Sequence, residues 1–469
     1  MRTFHGCGRL PTRTFYIGGN PSILTFYMGI VRASVKAAAP LLTVLTALVA
    51  GCAGPPGAGP PVVVERVGPG DSTARVSTPP PASLELAVRT LDTLYAPPSD
   101  ASTEAAAVMA AVRDIRNGRM DAALGQVAAV ANQAGPDADI AREILGQLLF
   151  HHGEWSALAG SPGGAAPLFG EFARAEPEEW DFPAGPVVLP LEATAVATPT
   201  VEARVNGVAR RFWIDAGAGL TVLSSELAEE AGIAVDVVGG RARTATGRDV
   251  ATSPAIIDEL RIGPVRVHNH PAMVMDTADL HFGVADLRDG HPGVDDDIAI
   301  DGILGWPVIR RLDLTLDFAG GEVVIREPAP RPEDVRNLFW LGYPVVAARA
   351  ENGRALLLGL DTGASKSFLA PGFLEKAGER PDGTRSRRIG GAGGFETVTV
   401  EILDTAALRI GDWRVRFRDE VDIRDDNARS VLDLDGVLGA DVAARRALRI
   451  DFVNGRFDLL APGSDGAGP

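Results

Sequence analysis

The sequence predicts a mainly β protein with an internal duplication, preceded by a small α-helical segment. Short apolar runs such as VVLPLEA, VEARV and RRFWI alternate with Gly-rich turns from about residue 186 onward, which is typical of strands in a sheet or barrel. Two stretches of that region recur in the same order, which indicates a duplication. Ahead of it, Ala, Leu and Val recur at three- and four-residue spacing, which indicates amphipathic helices.

The N-terminal region has the features of an export signal. Arg32 and Lys36 supply positive charge, an apolar run (AAAPLLTVLTALVA) follows, and small residues lead to Cys52. This pattern resembles the bacterial lipobox, where the signal is cut before a cysteine that is then acylated. A short membrane anchor is the alternative, but 14 apolar residues are few for a bilayer span. We expect an exported lipoprotein on the periplasmic face of a bacterial membrane, held by lipid on Cys52.

Charge and cysteine content agree with export. The 469-residue chain has a formal charge of −16, which disfavours nucleic-acid binding. Loss of residues 1–51 would remove five basic residues and leave 40 basic against 61 acidic ones, a charge of −21. Cys7 and Cys52 are the only cysteines, so no disulfide is expected in the mature protein. Met28 just ahead of the signal leaves open whether residues 1–27 are translated.

Two segments separate the signal from the β region. Residues 52–82 are rich in Pro and Gly, which predicts a flexible tether. Residues 83–160 predict helices, and Gly118 and Gly153 begin similar stretches 35 residues apart, close to the tetratricopeptide period. Two interpretations stay open for these helices: a spacer that packs on the next domain, and a repeat that binds a protein partner.

The β region contains one unit twice. Residues 206–232 match residues 352–378 at a constant offset of 146, and residues 301–321 match residues 435–455 at an offset of 134. Each copy has an Asn-Gly hairpin, an apolar strand ending in Asp, a Gly-rich turn and a later Asp-Gly-hydrophobic-Leu-Gly element. The predicted units are lobe 1 (186–327), lobe 2 (338–461) and a disordered tail (462–469).

Three motifs of the second copy carry a family resemblance. Residues 360–364 (LDTGA), 436–439 (GVLG) and 389–395 (IGGAGGF) resemble the catalytic loop, the strand that braces it and the flap of retropepsin- and pepsin-type aspartic proteases. The resemblance covers residues 186–461, more than half of the chain. It implies a bilobal acid-protease β-barrel fold, with two related lobes facing each other in a monomer.

The resemblance implies that Asp215 and Asp361 are the catalytic pair. Two carboxyl groups about 3 Å apart cannot both ionise, so they hold one proton between them. The ionised group can then take a proton from water while the protonated group hydrogen-bonds the scissile carbonyl. This chemistry needs no cofactor.

The residues after each Asp are expected to support it. Gly217 and Gly363 would let the backbone turn tightly, so that main-chain N–H groups reach the carboxylates. In the family, Thr or Ser hydroxyls of the two loops bond across the lobe interface. Thr362 supplies one, whereas Ala216 stands where the other is expected. The missing bond would cost roughly 0.5–1.5 kcal/mol.

A glycine cluster in lobe 2 predicts the flap. Gly390, Gly391, Gly393 and Gly394 suit a hairpin tip that opens and closes over an extended peptide. The corresponding point of lobe 1 reads TATGRD, with Thr246 and Gly247 at its centre. A single glycine there predicts a stiffer flap, or none.

We therefore expect an aspartic endopeptidase that acts on protein or peptide substrates. A peptide-binding pseudoprotease that lost turnover is the alternative suggested by Ala216, and an envelope adaptor lipoprotein is the one suggested by the helices. A metal site formed by His268, His270 and the acidic run 295–297 is conceivable, but such loops are more often solvated, so no metal is predicted.

Overall fold

The computed structural model describes residues 62–67, 81–94, 96, 102–160, 166–194, 197–235, 240–244, 246–283, 297–331, 336–424 and 431–463. The predicted signal, Cys52, most of the predicted tether and most of the predicted tail lie outside these ranges. Within them, no helix has the length and apolar character needed to cross a membrane.

The described chain begins with a short strand, β1 (Val62–Arg66), inside the segment that the sequence interprets as a tether. Its composition explains the difference. Pro and Gly dominate both flanks, but the five residues VVVER are rich in β-branched side chains, which favour a strand wherever an edge is available. Val64 is buried, so this part of the predicted tether is docked.

Six helices follow within the described part of the chain. They are α1 (Leu84–Arg89), α2 (Thr103–Arg116), α3 (Met120–Ala131), α4 (Pro136–His152), α5 (Trp155–Ala159) and α6 (Ala166–Phe172). Gly118 and Gly153, the two glycines of the predicted repeat, both have φ of +71° at helix ends, a left-handed conformation that glycine adopts readily.

The helical segment packs on the β region. The Arg116 guanidinium lies 4.7 Å from the ring centroid of Phe339, and the His151 ring lies 4.8 Å from that of Trp340. Both aromatic residues are buried at the start of the second copy. The helices therefore share a core with the β region.

The β region is mainly antiparallel sheet, as the sequence predicts. Lobe 1 begins with β2 (Glu179–Asp181), ahead of the predicted boundary at residue 186. It continues with β3 (Val187–Pro190), β4 (Glu192–Ala193), β5 (Pro199–Val205), β6 (Val208–Ile214), β7 (Thr221–Ser224), β8 (Gly240–Arg243), β9 (Asp249–Ile262), β10 (Val265–Met275), β11 (His281–Gly283), β12 (Asp297–Ala299), β13 (Gly302–Leu304), β14 (Asp313–Asp317) and β15 (Glu322–Arg326), with helices α7 (Ser225–Glu230) and α8 (Trp306–Ile309) and a 3-10 helix (Thr277–Leu280).

Lobe 2 repeats this plan. It contains β16 (Leu338–Trp340), β17 (Pro344–Ala350), β18 (Ala355–Leu360), β19 (Phe368–Leu369), β20 (Gly383–Gly391), β21 (Gly394–Leu403), β22 (Ala406–Ile410), β23 (Trp413–Phe417), β24 (Val421–Ile423), β25 (Gly436–Leu438), β26 (Ala447–Asp451) and β27 (Arg456–Leu460), with helix α9 (Pro371–Ala377) and a 3-10 helix (Ala440–Ala443).

Each lobe has its own sheet. In lobe 1 the order is β2-β10-β7-β13-β6-β5-β9-β8, and a further pairing of β9 with β10 closes six of these strands into a barrel. In lobe 2 the order is β1-β23-β22-β17-β18-β25-β19-β24-β21-β20, with β16 on β17. Strand β1 thus extends the outer edge of lobe 2 by antiparallel pairing with β23.

A third sheet joins the lobes. Its order is β27-β26-β14-β15-β3, so a strand of lobe 1 lies directly beside a strand of lobe 2. Leu314 pairs with Ile450 in this register, and both side chains are buried. The shared sheet fixes one lobe against the other behind the loops that follow β6 and β18.

Candidate active site

The two predicted aspartates occupy equivalent positions at the ends of β6 and β18. In lobe 1, β13 runs parallel to β6, and Asp215 N donates to Leu304 O at 3.0 Å. In lobe 2, β25 runs parallel to β18, and Asp361 N donates to Leu438 O at 3.0 Å. The later repeat element is therefore the strand that holds each Asp in place.

The loop after each Asp supplies main-chain donors to its carboxylate. Gly217 N and Ala218 N donate to Asp215 Oδ1 at 2.8 and 3.1 Å. In the second lobe, Ala364 N donates to Asp361 Oδ1 at 2.9 Å. In both lobes, Oδ1 is the oxygen that accepts these main-chain bonds.

Gly217 and Gly363 serve a purpose that the sequence does not suggest. Neither has a positive φ, so the backbone conformation alone does not require glycine at these positions. A Cβ on Gly363 would lie 2.4 Å from Asp215 Cγ, and a Cβ on Gly217 would lie 2.7 Å from Asp361 Cγ. Each glycine is required because the carboxyl group of the other lobe packs against its Cα.

The two carboxyl groups form one buried unit. Both side chains have 0% relative exposure, and each carboxyl group lies against the loop glycine of the other lobe. Burial and the nearby Asp361 carboxyl group raise the pKa of Asp215 well above its usual value, although the Gly217 and Ala218 amides act in the opposite direction. A pair in this state retains one proton at a pH where two isolated carboxyl groups would both be ionised.

One hydroxyl locks the loops across the lobe interface. Thr362 Oγ1 donates to Ile214 O at 2.6 Å and accepts from Ala216 N at 2.9 Å. Ala216 is fully buried and has no hydroxyl to return these bonds. We call these cross-lobe hydrogen bonds the lock. The structure therefore contains the bonds expected from Thr362, and the equivalent bonds from position 216 are missing because Ala216 has no hydroxyl.

The predicted flap is a hairpin whose tip reaches the other lobe. Strands β20 and β21 pair through Gly391 and Gly394, and Gly390 lies one position earlier on β20. Gly393 and Gly394 have φ of +84° and +105°, values that residues other than glycine rarely adopt. Gly393 N donates to Asp279 O at 2.7 Å, so the tip is closed against lobe 1.

Lobe 1 also has a hairpin at the expected place, formed by β8 and β9. Its turn contains Thr246 and Gly247, and the Thr244 and Thr246 hydroxyls lie 2.9 Å apart inside it. The two hairpin tips meet, because Arg248 Nη1 donates to Gly393 O at 2.9 Å. Both lobes therefore contribute a hairpin, and the one in lobe 1 is held by its own side chains.

Two residues next to the aspartates are absent from the sequence-based prediction. Thr198 Oγ1 donates to Gly363 O at 3.1 Å across the lobe interface. The Tyr343 hydroxyl lies 2.8 Å from the point that a Gly217 Cβ would occupy, the same distance as Asp361 Oδ2. Thr198 lies just before β5, and Tyr343 lies just before β17. Neither residue belongs to a recognisable motif. Only their similar spacing ahead of the two Asp residues, 17 and 18 positions, could have drawn attention to them.

The histidines of lobe 1 are dispersed. The fully buried His270 contacts Glu178 through Nδ1, and its Nε2 lies 2.7 Å from Thr221 Oγ1. His268 lies 3.8 Å from Asp181 at the surface. The side chains of the acidic run 295–297 lie outside the described residues. Over the part of the chain that the structure describes, no three His, Cys, Asp or Glu side chains are placed to hold a metal ion.

Comparison with known proteins points to the same loops. The model of the family described as "Aspartyl protease" matches residues 201–308 and 346–442, one segment in each lobe. A solved structure, a retropepsin-like aspartic protease from Rickettsia conorii, is 19% identical over 32% of this chain and 91% of that chain, with a TM-score of 0.20. No curated protein matches the chain. The match to the aspartyl protease family thus includes both Asp loops and the strand that braces each of them.

Proposed function

We propose that the protein is an aspartic endopeptidase with Asp215 and Asp361 as its catalytic pair. The observation that carries the proposal is the buried pair itself, in which two fully buried carboxyl groups from different lobes each pack against the Asp loop of the other lobe. Burial of two acids side by side is costly to stability unless the pair retains a proton. Such a pair is retained where its shared proton is used in chemistry.

The proposed reaction uses one water molecule. The ionised carboxylate accepts a proton from water as the water oxygen bonds to the scissile carbonyl carbon. The protonated carboxyl group donates its proton to the carbonyl oxygen, which gives a tetrahedral diol. On collapse, the C–N bond breaks, the amine nitrogen takes a proton from one carboxyl group, and a diol hydroxyl returns a proton to the other.

Substrate entry requires a movement. Both carboxyl groups are fully shielded, and the flap tip is bonded to Asp279 and Arg248 of lobe 1. We propose that an extended peptide enters when the β20–β21 hairpin leaves these partners, and that it then pairs with the hairpin through main-chain hydrogen bonds.

An Asp361→Asn variant tests the proposal. Wild type is expected to cleave an unfolded protein between pH 3 and 7, and the variant is expected to lose about 10²–10⁴-fold in kcat, because Asn can neither hold nor transfer the proton. Asp258→Asn at an exposed position is the matched control, and a pepstatin-type inhibitor should block wild type. Equal cleavage by wild type and Asp361→Asn would rule out the proposed pair.

A peptide-binding protein without turnover is the second candidate, favoured by Ala216. The loss of one hydroxyl weakens the support of the pair, whereas the β20–β21 hairpin that would pair with a peptide is retained. This candidate predicts that unfolded polypeptide binds and remains intact over the whole pH range. Appearance of fragments that depend on Asp361 would eliminate it.

We further propose that the protein is exported and anchored by lipid on Cys52. The proposal rests on the lipobox-like sequence around that residue. Wild type expressed in a bacterium is expected to incorporate labelled palmitate and to fractionate with membranes, whereas Cys52→Ser should do neither.

A protein partner of the helical segment can be sought with the same anchored protein. If the proteins captured with it are unaffected by surface changes in α2 and α3, that result would argue against such a partner.

A further inference from the structure

The lock across the lobe interface would be one-sided if Thr362 were its only hydroxyl. Thr362 of lobe 2 holds the main chain of the lobe 1 loop through Ile214 O and Ala216 N. The equivalent bonds in the opposite direction need a hydroxyl from lobe 1, and Ala216 cannot provide one. A second donor from lobe 1 would restore a hold on the lobe 2 loop.

Thr198 occupies such a place. Its side chain has 0% relative exposure, and its hydroxyl donates to the Gly363 carbonyl at 3.1 Å, across the interface between the lobes. The pairing of β5 with β6 and of β17 with β18 makes Tyr343 the counterpart of Thr198, and the Tyr343 hydroxyl lies next to Gly217 of lobe 1. The turn between β17 and β18 is one residue longer than the turn between β5 and β6, so a search at the constant offset of 146 does not align Thr198 with Tyr343.

The local backbone is specialised for this bond. Thr194 N donates to Thr198 O at 3.0 Å, and Thr198 N donates to Thr194 Oγ1 at 3.2 Å, which closes a tight turn before β5. Ala197 within this turn has φ of +64°, a left-handed conformation that is unfavourable for alanine. A strained backbone conformation of this kind, immediately before Thr198, persists only where the surrounding structure holds it in place.

The bond acts directly beside the carboxyl pair. Gly363 is the residue whose Cβ position lies 2.4 Å from Asp215 Cγ, so a shift of its main chain changes the space available to that carboxyl group. We propose that Thr198 is a positioning residue, which supplies the lobe 1 half of the cross-lobe lock in place of the hydroxyl missing from Ala216 and thereby sets the spacing of Asp215 and Asp361. This inference rests on the proposed peptidase function for its kinetic consequences, but not for its structural ones.

Four variants test it. Thr198→Val removes the hydroxyl at nearly constant shape, and Thr198→Ser retains it. Thr200→Val is the matched control, because Thr200 is also a buried threonine whose hydroxyl donates to a carbonyl, that of Glu192, within lobe 1 alone. Thr198→Val combined with Ala216→Thr restores a hydroxyl to the lobe 1 loop at the position equivalent to Thr362.

The kinetic expectation separates positioning from general stability. Thr198→Val should lower kcat about three- to tenfold with KM changed less than about twofold, the effect of one lost hydrogen bond on the geometry of the pair. Weaker coupling between the carboxyl groups should also move the alkaline limb of the kcat/KM profile to lower pH. Thr198→Ser and the Ala216→Thr combination should recover most of kcat, and Thr200→Val should change neither kcat nor the limb.

Two results would overturn the inference that Thr198 positions the pair. If Thr198→Val and Thr200→Val give the same kcat and the same alkaline limb, Thr198 does not position the pair. If wild type shows no Asp361-dependent cleavage, the proposed function fails, and thermal unfolding still tests the lock. In that case Ala216→Thr must raise the unfolding temperature more in the Thr198→Val background than in wild type, and equal increments would overturn the inference.

Discussion

At the scale of single residues, the glycines of the two Asp loops are constrained by the carboxyl group of the opposite lobe. Gly363 has no space for even a methyl group, because the Asp215 carboxyl group fills the position that Cβ would take. The same relation holds between Gly217 and Asp361. The Asp-x-Gly pattern is therefore as much a condition for bringing the lobes together as a condition for the loop itself.

This constraint gives a sharp prediction for Gly363→Ala. A Cβ 2.4 Å from Asp215 Cγ must displace the carboxyl group or the loop, and a misplacement of about 1 Å at a catalytic group can cost about 10²-fold in rate. We expect at least that loss in kcat/KM with the secondary structure retained by circular dichroism. Gly383→Ala is the control, since a Cβ there would meet nothing within 4 Å and Gly383 has no positive φ. Equal losses in both variants would contradict the steric account.

The sequence predicts the central residues of the site and misses their neighbours for a physical reason. Asp215, Asp361 and Thr362 lie in motifs that the duplication makes visible twice. Thr198 reaches a carbonyl 165 positions away, and Tyr343 lies against Gly217 of the other lobe. Contacts across the lobe interface leave no periodicity in the chain, so they become visible only when the lobes are placed together.

At the scale of elements, the site depends on two hairpins whose tips hold each other. The glycine cluster predicts the β20–β21 hairpin correctly, because positive φ values at its tip require glycine. The same reasoning could not decide whether lobe 1 has a hairpin, because the turn of that hairpin is stabilised by threonine hydroxyls and not by a glycine cluster. Strand β1 is missed because it depends on the edge of β23, about 350 residues further along the chain.

The contact between the tips predicts how Arg248→Ala will behave. Loss of the 2.9 Å bond to Gly393 O leaves the flap tip held by the Gly393 amide bond to Asp279. The remaining hold should be weaker by roughly 0.5–1.5 kcal/mol, which makes opening about two- to tenfold more frequent. Hydrogen exchange of the amides at the β20–β21 tip measures this directly. Arg241→Ala is the control, because Arg241 bonds Asp249 O within its own hairpin. Unchanged exchange in Arg248→Ala would show that the bond does not hold the tip.

At the scale of the whole molecule, the duplication places the two carboxyl groups of the proposed active site on different lobes. The five-stranded sheet behind the site contains strands of each, and Arg449 of lobe 2 bonds Asp313 of lobe 1 through two contacts of 2.6 and 2.7 Å. A buried pair of this kind adds little net stability, but it specifies one alignment. The sequence predicts the two lobes, whereas the shared sheet could not be predicted, because strand pairing between copies leaves no mark on either repeat.

The buried carboxyl pair also makes the stability of the molecule depend on pH. The pKa of Asp215 is raised in the folded state by burial and by Asp361, so the folded protein holds this proton more tightly than the unfolded chain does. The stabilising contribution is complete below the unfolded pKa of about 3.9 and is lost as pH rises through the raised folded pKa. At neutral pH the pair is therefore a cost, and Asn at position 215 would remove part of it.

Asp215→Asn is accordingly expected to abolish cleavage and to stabilise the fold, a combination typical of residues retained for chemistry. Its unfolding temperature should be close to that of wild type near pH 4 and should exceed it increasingly as pH rises towards 8. Asp258→Asn, at an exposed position, should differ from wild type by an amount that does not grow with pH. Thermal unfolding of the three proteins in a pH series measures the difference. A variant that became less stable than wild type as pH rose would mean that the Asp215 carboxyl group stabilises the fold in its charged form, which would contradict a pair that shares one proton.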